Sequence, residues 1–264
     1  MWGIKSKTQP EKIVPVSAKP KKPLPDAVLE ARKTPSRNMV DIHFLHIGKC
    51  AGSQVGRIAR QINQDPDGHR IIKHHHDVYL RHLHKKADYF FSIRHPISRF
   101  SSGFYSRKRK GAPKLHIEWS PDDTFAFETF EHANDLAEAL FEKTDLGHKA
   151  WAAMKSIRHT AQNQSDWFYC RGSFLFTRPP IWILRQENFD ANLTTFFDRA
   201  KLDLGDCKIK ISSDPKAAHA NNYTDIPPLS DKAREKLSLW YAQGIAFYDM
   251  CEVWMMQDLK APTT

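Results

Sequence analysis

Two loops and a run of histidines carry the residue types in this chain that could do chemistry together. Gly48-Lys49-Cys50-Ala51-Gly52-Ser53 follows an apolar run and leads into what reads as a helix. A helix N-terminus facing such a loop presents unpaired backbone N–H groups and a partial positive charge, and both favour a phosphate. In that setting Gly52 lets the backbone approach the anion closely, Ser53 and Gln54 offer side-chain hydrogen bonds, and Lys49 supplies a mobile cation. The G-x-x-x-x-G-K-[ST] pattern of nucleotide hydrolases, with its magnesium-binding hydroxyl, is absent. Taken alone, the loop is equally well an ordinary strand-to-helix turn with a surface lysine.

The second loop lies in "SIRHPISRFSSGFY", where Arg94 directly follows an apolar run, Pro96 is placed as a first helical residue and Ser102 falls eight positions beyond Arg94. An Arg at a strand end and a Ser two turns along the next helix can converge on one phosphate, the Arg through its planar fork. The two loops therefore describe two anion sites. His74, His75 and His76 follow a further apolar run, and a histidine titrates in the range useful to a general base. Strand alternation would put His74 and His76 on one face. From the residues alone the triplet is a base, a set of structural histidines or a metal site, and no obvious carboxylate or cysteine set completes the last.

These residues need elements to hold them. Met39–Ile47 is nearly all apolar and rich in β-formers, which suits a strand buried on both faces of a parallel sheet. Val55, Ile58, Ala59 and Ile62 then recur at helical spacing over Ser53–Ile62. Further strands are expected at Ile71–His74, Tyr89–Ile93 and Ile181–Leu184, and helices over Thr124–Glu142 and Gly147–His159, with a loop near Ser165–Arg178. A helix follows Glu187 with Asn188 or Asp190 near its start, and a long one runs from an N-cap at Ser230 through Trp254. Strands alternating with helices imply an α/β fold with a central, mainly parallel sheet flanked by helices.

"HIGKCAGS" together with "RHPISRFSSGFY" resembles the sulfotransferases that use 3′-phosphoadenosine 5′-phosphosulfate, especially the branch that sulfates carbohydrates. The likeness continues more weakly through "ILRQENFDANLTTFF" to "LSDKAREKLSLWYAQGIAFYDMC", and so runs from about Asp41 to the C-terminal helix. It implies a P-loop NTPase-like sulfotransferase fold, with the donor's 5′-phosphosulfate on Lys49, Cys50, Ala51, Gly52, Ser53 and Gln54 and its 3′-phosphate on Arg94 and Ser102. 3′-Phosphoadenosine 5′-phosphate is then the product, and neither a metal nor a covalent intermediate is required. In carbohydrate 2-O-sulfotransferases a similar His-x-His followed by x-x-Tyr-Leu supplies the base. His76-Asp77-Val78-Tyr79-Leu80 matches that spacing, which makes His76 the expected base, His74 a helper or substrate contact, and Lys49 the electrostatic catalyst. The first loop departs from the family's frequent Pro-Lys-Thr-Gly-[GT]-[TS] at Gly48 and at Cys50-Ala51, which leaves the side-chain partners of the phosphate open. A helix N-terminus lowers a thiol pKa, but nothing pairs Cys50 with a base, and its position favours packing.

The 264 residues, 41% hydrophobic, can bury one sizeable core. The net charge is +10, yet Met1–Asn38 holds nine Lys/Arg against three Asp/Glu, so six of the ten belong to that segment. With six of the sixteen prolines it reads as a disordered arm, leaving 39–264 as a single sulfotransferase domain. No stretch approaches the ~20 apolar residues of a membrane span, and no signal peptide is recognisable. The family's animal relatives are commonly anchored in the Golgi, so the expectation is a cytoplasmic bacterial enzyme or a shortened chain. Four scattered cysteines fit reduced thiols better than a disulfide framework or zinc knuckle.

Ser106–Lys114 carries five basic residues, either a solvated face or a rim attracting an acidic glycan. Trp119, Trp151, Trp167 and Tyr169 are core aromatics or surfaces for sugar rings. The expected activity is transfer of a sulfuryl group to an acceptor hydroxyl on a saccharide or polysaccharide, by in-line attack with a histidine base; tyrosine and lipid acceptors stay open. A basic nucleic-acid-binding protein is the alternative from another class, prompted by the arm and Arg107–Lys110. It leaves the paired loops unexplained, and no nucleic-acid motif appears. A nucleoside kinase-like enzyme lacks its Gly-Lys-[ST], and a family member that binds nucleotide without catalysis is the last alternative.

Overall fold

A computed structural model describes residues 40–64, 68–113, 115–169, 172–202 and 226–260; the basic segment 1–38 lies outside them. The elements are β1 (Val40–Leu45), α1 (Gly52–Ile62), β2 (His69–Lys73), β3 (Asp88–Ile93), α2 (Pro96–Lys108), α3 (Pro121–Thr129), α4 (Ala133–Ala139) and α5 (Asp145–Ser156). The single turn α6 (Phe174–Thr177), β4 (Ile183–Arg185), α7 (Phe189–Arg199), α8 (Asp231–Trp240) and α9 (Ala242–Lys260) follow.

The four strands lie in the order β2-β1-β3-β4, every pair parallel. In β1 and β3 every residue after the first is buried. Both faces of these strands are therefore covered, as parallel crossovers through helices require. Phe44 lies opposite Phe90 in register, their rings 4.9 Å apart, and Phe90 stacks in turn on Phe196 of α7 at 4.2 Å. The fold is α/β, a four-stranded parallel sheet flanked by helices. A second apolar cluster, including Phe100, Phe104, Phe127, Leu136, Met154 and Leu237, joins α2, α3, α4, α5 and α8.

From β1 the chain steps outward to β2, then returns past β1 to β3 and on to β4. The order thus reverses between β1 and β3, and in open α/β sheets ligands bind beyond the carboxyl ends of strands at such a switch point. The loops carrying Lys49 and Arg94 leave those two ends.

Three expectations change. The helix expected over Thr124–Glu142 is two, because α3 stops at Phe130 and His132 opens α4, its N–H donated to Asp135 at 2.9 Å. Ser230 does cap its helix, accepting the Ala233 N–H at 3.1 Å, but that helix breaks at Tyr241, whose buried hydroxyl donates to the Thr160 carbonyl at 2.8 Å. β2 ends at Lys73, so His74, His75 and His76 leave the strand and alternation does not govern them. Among the described residues no helix is long and apolar enough to cross a membrane.

The Phe44–Phe90–Phe196 stack ties sheet to helix in the core. Phe90→Ala should lower stability by about 3–5 kcal/mol, read from the urea midpoint at unchanged slope; a loss below about 1 kcal/mol would show that these rings do not hold the sheet.

Candidate functional site

Lys49 and Ala51 adopt left-handed backbone conformations, φ 67° and 58°. Side chains other than glycine pay about 1–3 kcal/mol each for such geometry, so the surroundings must impose it. Arg99 of α2, 2% exposed, donates Nε–H to the Gly48 carbonyl at 2.9 Å and Nη1–H to the Gln162 carbonyl at 2.7 Å. The Ser92 hydroxyl donates to the Cys50 carbonyl, and the Cys50 thiol to Gln164 Oε1 at 3.2 Å.

Held in this way, the loop delivers α1 with no side-chain cap. Gln54 and Val55 turn their N–H groups back to the Ala51 carbonyl, at 2.9 and 3.1 Å, whereas those of Gly52 and Ser53 have no acceptor among the described residues. Such an end receives anions. Lys49, half-buried beside it, makes no ion pair among the described residues; burial first, then the Arg94 guanidinium, hold its ammonium down to about 8. Cys50 is fully buried, and burial pushes its thiol up to about 11, the opposite of an activated nucleophile.

Arg94 and Ser102 line one cavity of about 500 Å³, with Ser98, Ser101, Glu187 and Arg234. Arg94 Nε–H donates to Ser98 Oγ at 2.8 Å. Its backbone is gripped by the Gln164 side chain, which accepts the Arg94 N–H at 2.9 Å and donates to the Arg94 carbonyl at 2.6 Å.

His76 reaches the other side of the loop. Its Nδ1 lies 2.8 Å from the His46 carbonyl, which can only accept, so Nδ1 carries the hydrogen and Nε2 keeps its lone pair. His76 lines a second cavity, of about 350 Å³, with Gly48, Tyr79, Lys155, Arg158, His159 and Trp167. Its ring centre is 4.0 Å from that of His46 and 5.8 Å from that of His159. Burial lowers all three, His46 and His159 to about 2.

His74 does not join them. It is buried, stacked parallel on His43 with Nε2 2.8 Å from His43 Nδ1, and held down to about 4 by burial and then by His43. The turn after β2 separates it from His76. A Cβ at Gly52 would lie 1.8 Å from His46 Nε2, and one at Gly48 would lie 2.6 Å from His159 Nδ1. These glycines admit imidazoles against the loop. Part of the basic run is structural too, since Arg107 pairs with Asp123 at 2.7 Å and Lys110 with Glu118 at 2.5 Å.

His46, Arg99, His159 and Gln164 are not among the residues that the sequence marks as candidates. Arg99 stood inside the second motif, one residue past Ser98, and His46 two before Gly48; His159 is the last residue of the helix expected over Gly147–His159, and Gln164 lies between that helix and the loop expected from Ser165. Among the described residues no three of His, Cys, Asp and Glu are grouped to hold a metal ion.

Two outcomes follow from the packed histidines. A histidine lowered by burial binds fewer protons folded than unfolded, so its contribution is intact above about pH 6.5 and is lost as pH falls. Denaturation at stepped pH should show stability dropping between about pH 6.5 and 5, above the ordinary carboxylate range, by up to about 1.4 kcal/mol per pH unit for each such histidine; a flat profile would mean these rings charge freely in the folded protein. Gly52→Ala should cost about 1–3 kcal/mol by forcing the His46 ring aside, seen as a lower Tm, and an unchanged Tm would refute the close approach. The chain matches no protein-family model and no curated protein, so the reading of this site rests on its own residues.

Proposed function

We propose that the chain transfers a sulfuryl group from 3′-phosphoadenosine 5′-phosphosulfate to an acceptor hydroxyl on a saccharide or polysaccharide. The observation that carries this reading is the convergence of two anion-receptive elements at one switch point, Lys49 with the uncapped α1 and Arg94 with Ser102, with His76 beside Gly48. A nucleotide with phosphates at its 3′ and 5′ positions presents anions to both elements. The resemblance of the two sequence motifs to sulfotransferases points the same way.

The donor supplies the activated sulfuryl group, and this chain's residues do the rest. The free N–H groups at the start of α1 hold the 5′-phosphate, with Ser53 and Gln54 in the same turn, while Arg94 and Ser102 hold the 3′-phosphate. His76 Nε2 takes the acceptor's proton as the acceptor oxygen bonds to sulfur and the bond from sulfur to the phosphate oxygen breaks. Lys49 offsets the charge left on that oxygen. The cavity at His76 offers Tyr79 and Trp167 as aromatic faces and Lys155 and Arg158 as cations, a lining suited to an acidic sugar. Cys50 and Cys251, free and buried, are compatible with the reducing cytoplasm of a bacterium.

The test is calorimetric titration with 3′-phosphoadenosine 5′-phosphate without magnesium. The wild type should bind it and bind AMP more weakly, and Arg94→Ala should weaken it about 10–100-fold. His76→Ala should reduce transfer to an acidic oligosaccharide about 10²–10⁴-fold. No binding by the wild type would overturn the reading and favour the basic nucleic-acid-binding alternative.

A further inference from the structure

Gln164 opens a 3-10 turn, Gln164–Trp167, and its side chain is 1% exposed. Its amide makes three hydrogen bonds, and they span both anion-receptive elements. Oε1 accepts the Cys50 thiol at 3.2 Å and the Arg94 N–H at 2.9 Å, while Nε2 donates to the Arg94 carbonyl at 2.6 Å. One planar group thus fixes both backbone polar atoms of the residue that begins the second element and touches the middle of the first. Two residues away the same segment is tied again, because Arg99 bridges the carbonyls of Gln162 and Gly48. The stretch Gln162–Gln164 is a cross-brace between the loop after β1 and the loop after β3.

A ligand that uses one element does not depend on the distance the brace sets between the two. It matters for a ligand that must reach both, whose two anionic groups are a fixed distance apart. We infer that Gln164 is the positioning residue that sets the separation of the two anion sites, and that this separation selects a nucleoside 3′,5′-bisphosphate over an isomer with its second phosphate elsewhere on the ribose. The inference rests on the donor proposed above. It also gives position 50 a purpose: a thiol there donates into the brace.

The experiment compares adenosine 3′,5′-bisphosphate with adenosine 2′,5′-bisphosphate, which have equal charge and size, by calorimetry on the wild type, Gln164→Met and Cys50→Ala. The wild type should prefer the 3′,5′ isomer about tenfold or more. Gln164→Met fills nearly the same volume without the hydrogen bonds and should bring the two affinities to within about twofold. General loosening of the fold would weaken both isomers alike and leave their ratio unchanged, which would overturn the positioning role. If Gln164→Met does not fold, as judged by its thermal transition, Cys50→Ala decides: it removes one bond of the brace and should lower the ratio about threefold, and an unchanged ratio would overturn the inference. A wild type that binds neither isomer would overturn the donor reading itself, and the inference with it, so the two failures are distinct.

Discussion

The Arg99 guanidinium is the group on which the arrangement of the site depends. It is almost wholly buried and makes no ion pair among the described residues, and its Nη2 lacks a hydrogen-bond partner. Withdrawing such a cation from water costs several kcal/mol, and the carbonyls of Gly48 and Gln162 offset only part of that. What this cost secures is the left-handed course of the loop at Lys49 and Ala51, which leaves the first N–H groups of α1 without acceptors. α2 distributes the work over its faces by helical spacing. Ser98 and Ser102, four residues apart, both line the cavity of Arg94, while Arg99 and Gly103, also four apart, meet Gly48 and His159. A helix started by Pro96 at the end of β3 therefore fixes both anion elements at once.

The histidines solve a different problem. Imidazoles packed beside this loop lie among cations, and burial in company with them holds His46, His76 and His159 below the ordinary histidine range. A neutral imidazole can be packed like an aromatic ring, and Gly48, Gly52 and Gly103 are the positions where a methyl group would intrude on His46 or His159. The hydrogen bond from His76 Nδ1 to the His46 carbonyl then decides which nitrogen stays basic. Tautomer, ring position and loop geometry are in this way set by one contact group, and the folded chain keeps Nε2 available without needing a carboxylate to orient it.

What the sequence made legible was local. Lys49, Arg94 and Ser102 stood out as candidates because strand ends, a proline at a helix start and glycines in a tight loop are signals contained within a few residues, and the parallel sheet followed from buried apolar runs. The contacts that complete the site join residues far apart in the chain: Cys50 to Gln164 across 114 positions and Arg94 to Gln164 across 70. No periodicity records such a pairing. His74 shows the same limit on a smaller scale, since ending β2 one residue earlier than expected turns the ring toward His43 instead of His76. Tyr241 and Phe130 are apolar residues at places where the helical pattern runs on, and the breaks there come from tertiary packing that a pattern does not contain.

Electrostatics distinguishes the kind of chemistry the loop can support. Arg94, Arg109 and Arg99 each lower Lys49, after burial, and the Arg109 Nε is itself buried without a partner. Cations held this close repel one another in the free protein, and an entering anion relieves that repulsion and returns the Lys49 ammonium toward its ordinary range. A ligand carrying several negative charges gains most from such a site. The residue after Lys49 sharpens the point. In magnesium-dependent phosphate loops that position offers a hydroxyl to the metal, whereas the Cys50 side chain faces Gln164 inside the protein, its thiol held protonated by burial. The loop's capacity to handle negative charge therefore lies in backbone N–H groups, one lysine and the neighbouring arginines, and the side chain at position 50 serves to hold those groups at their spacing.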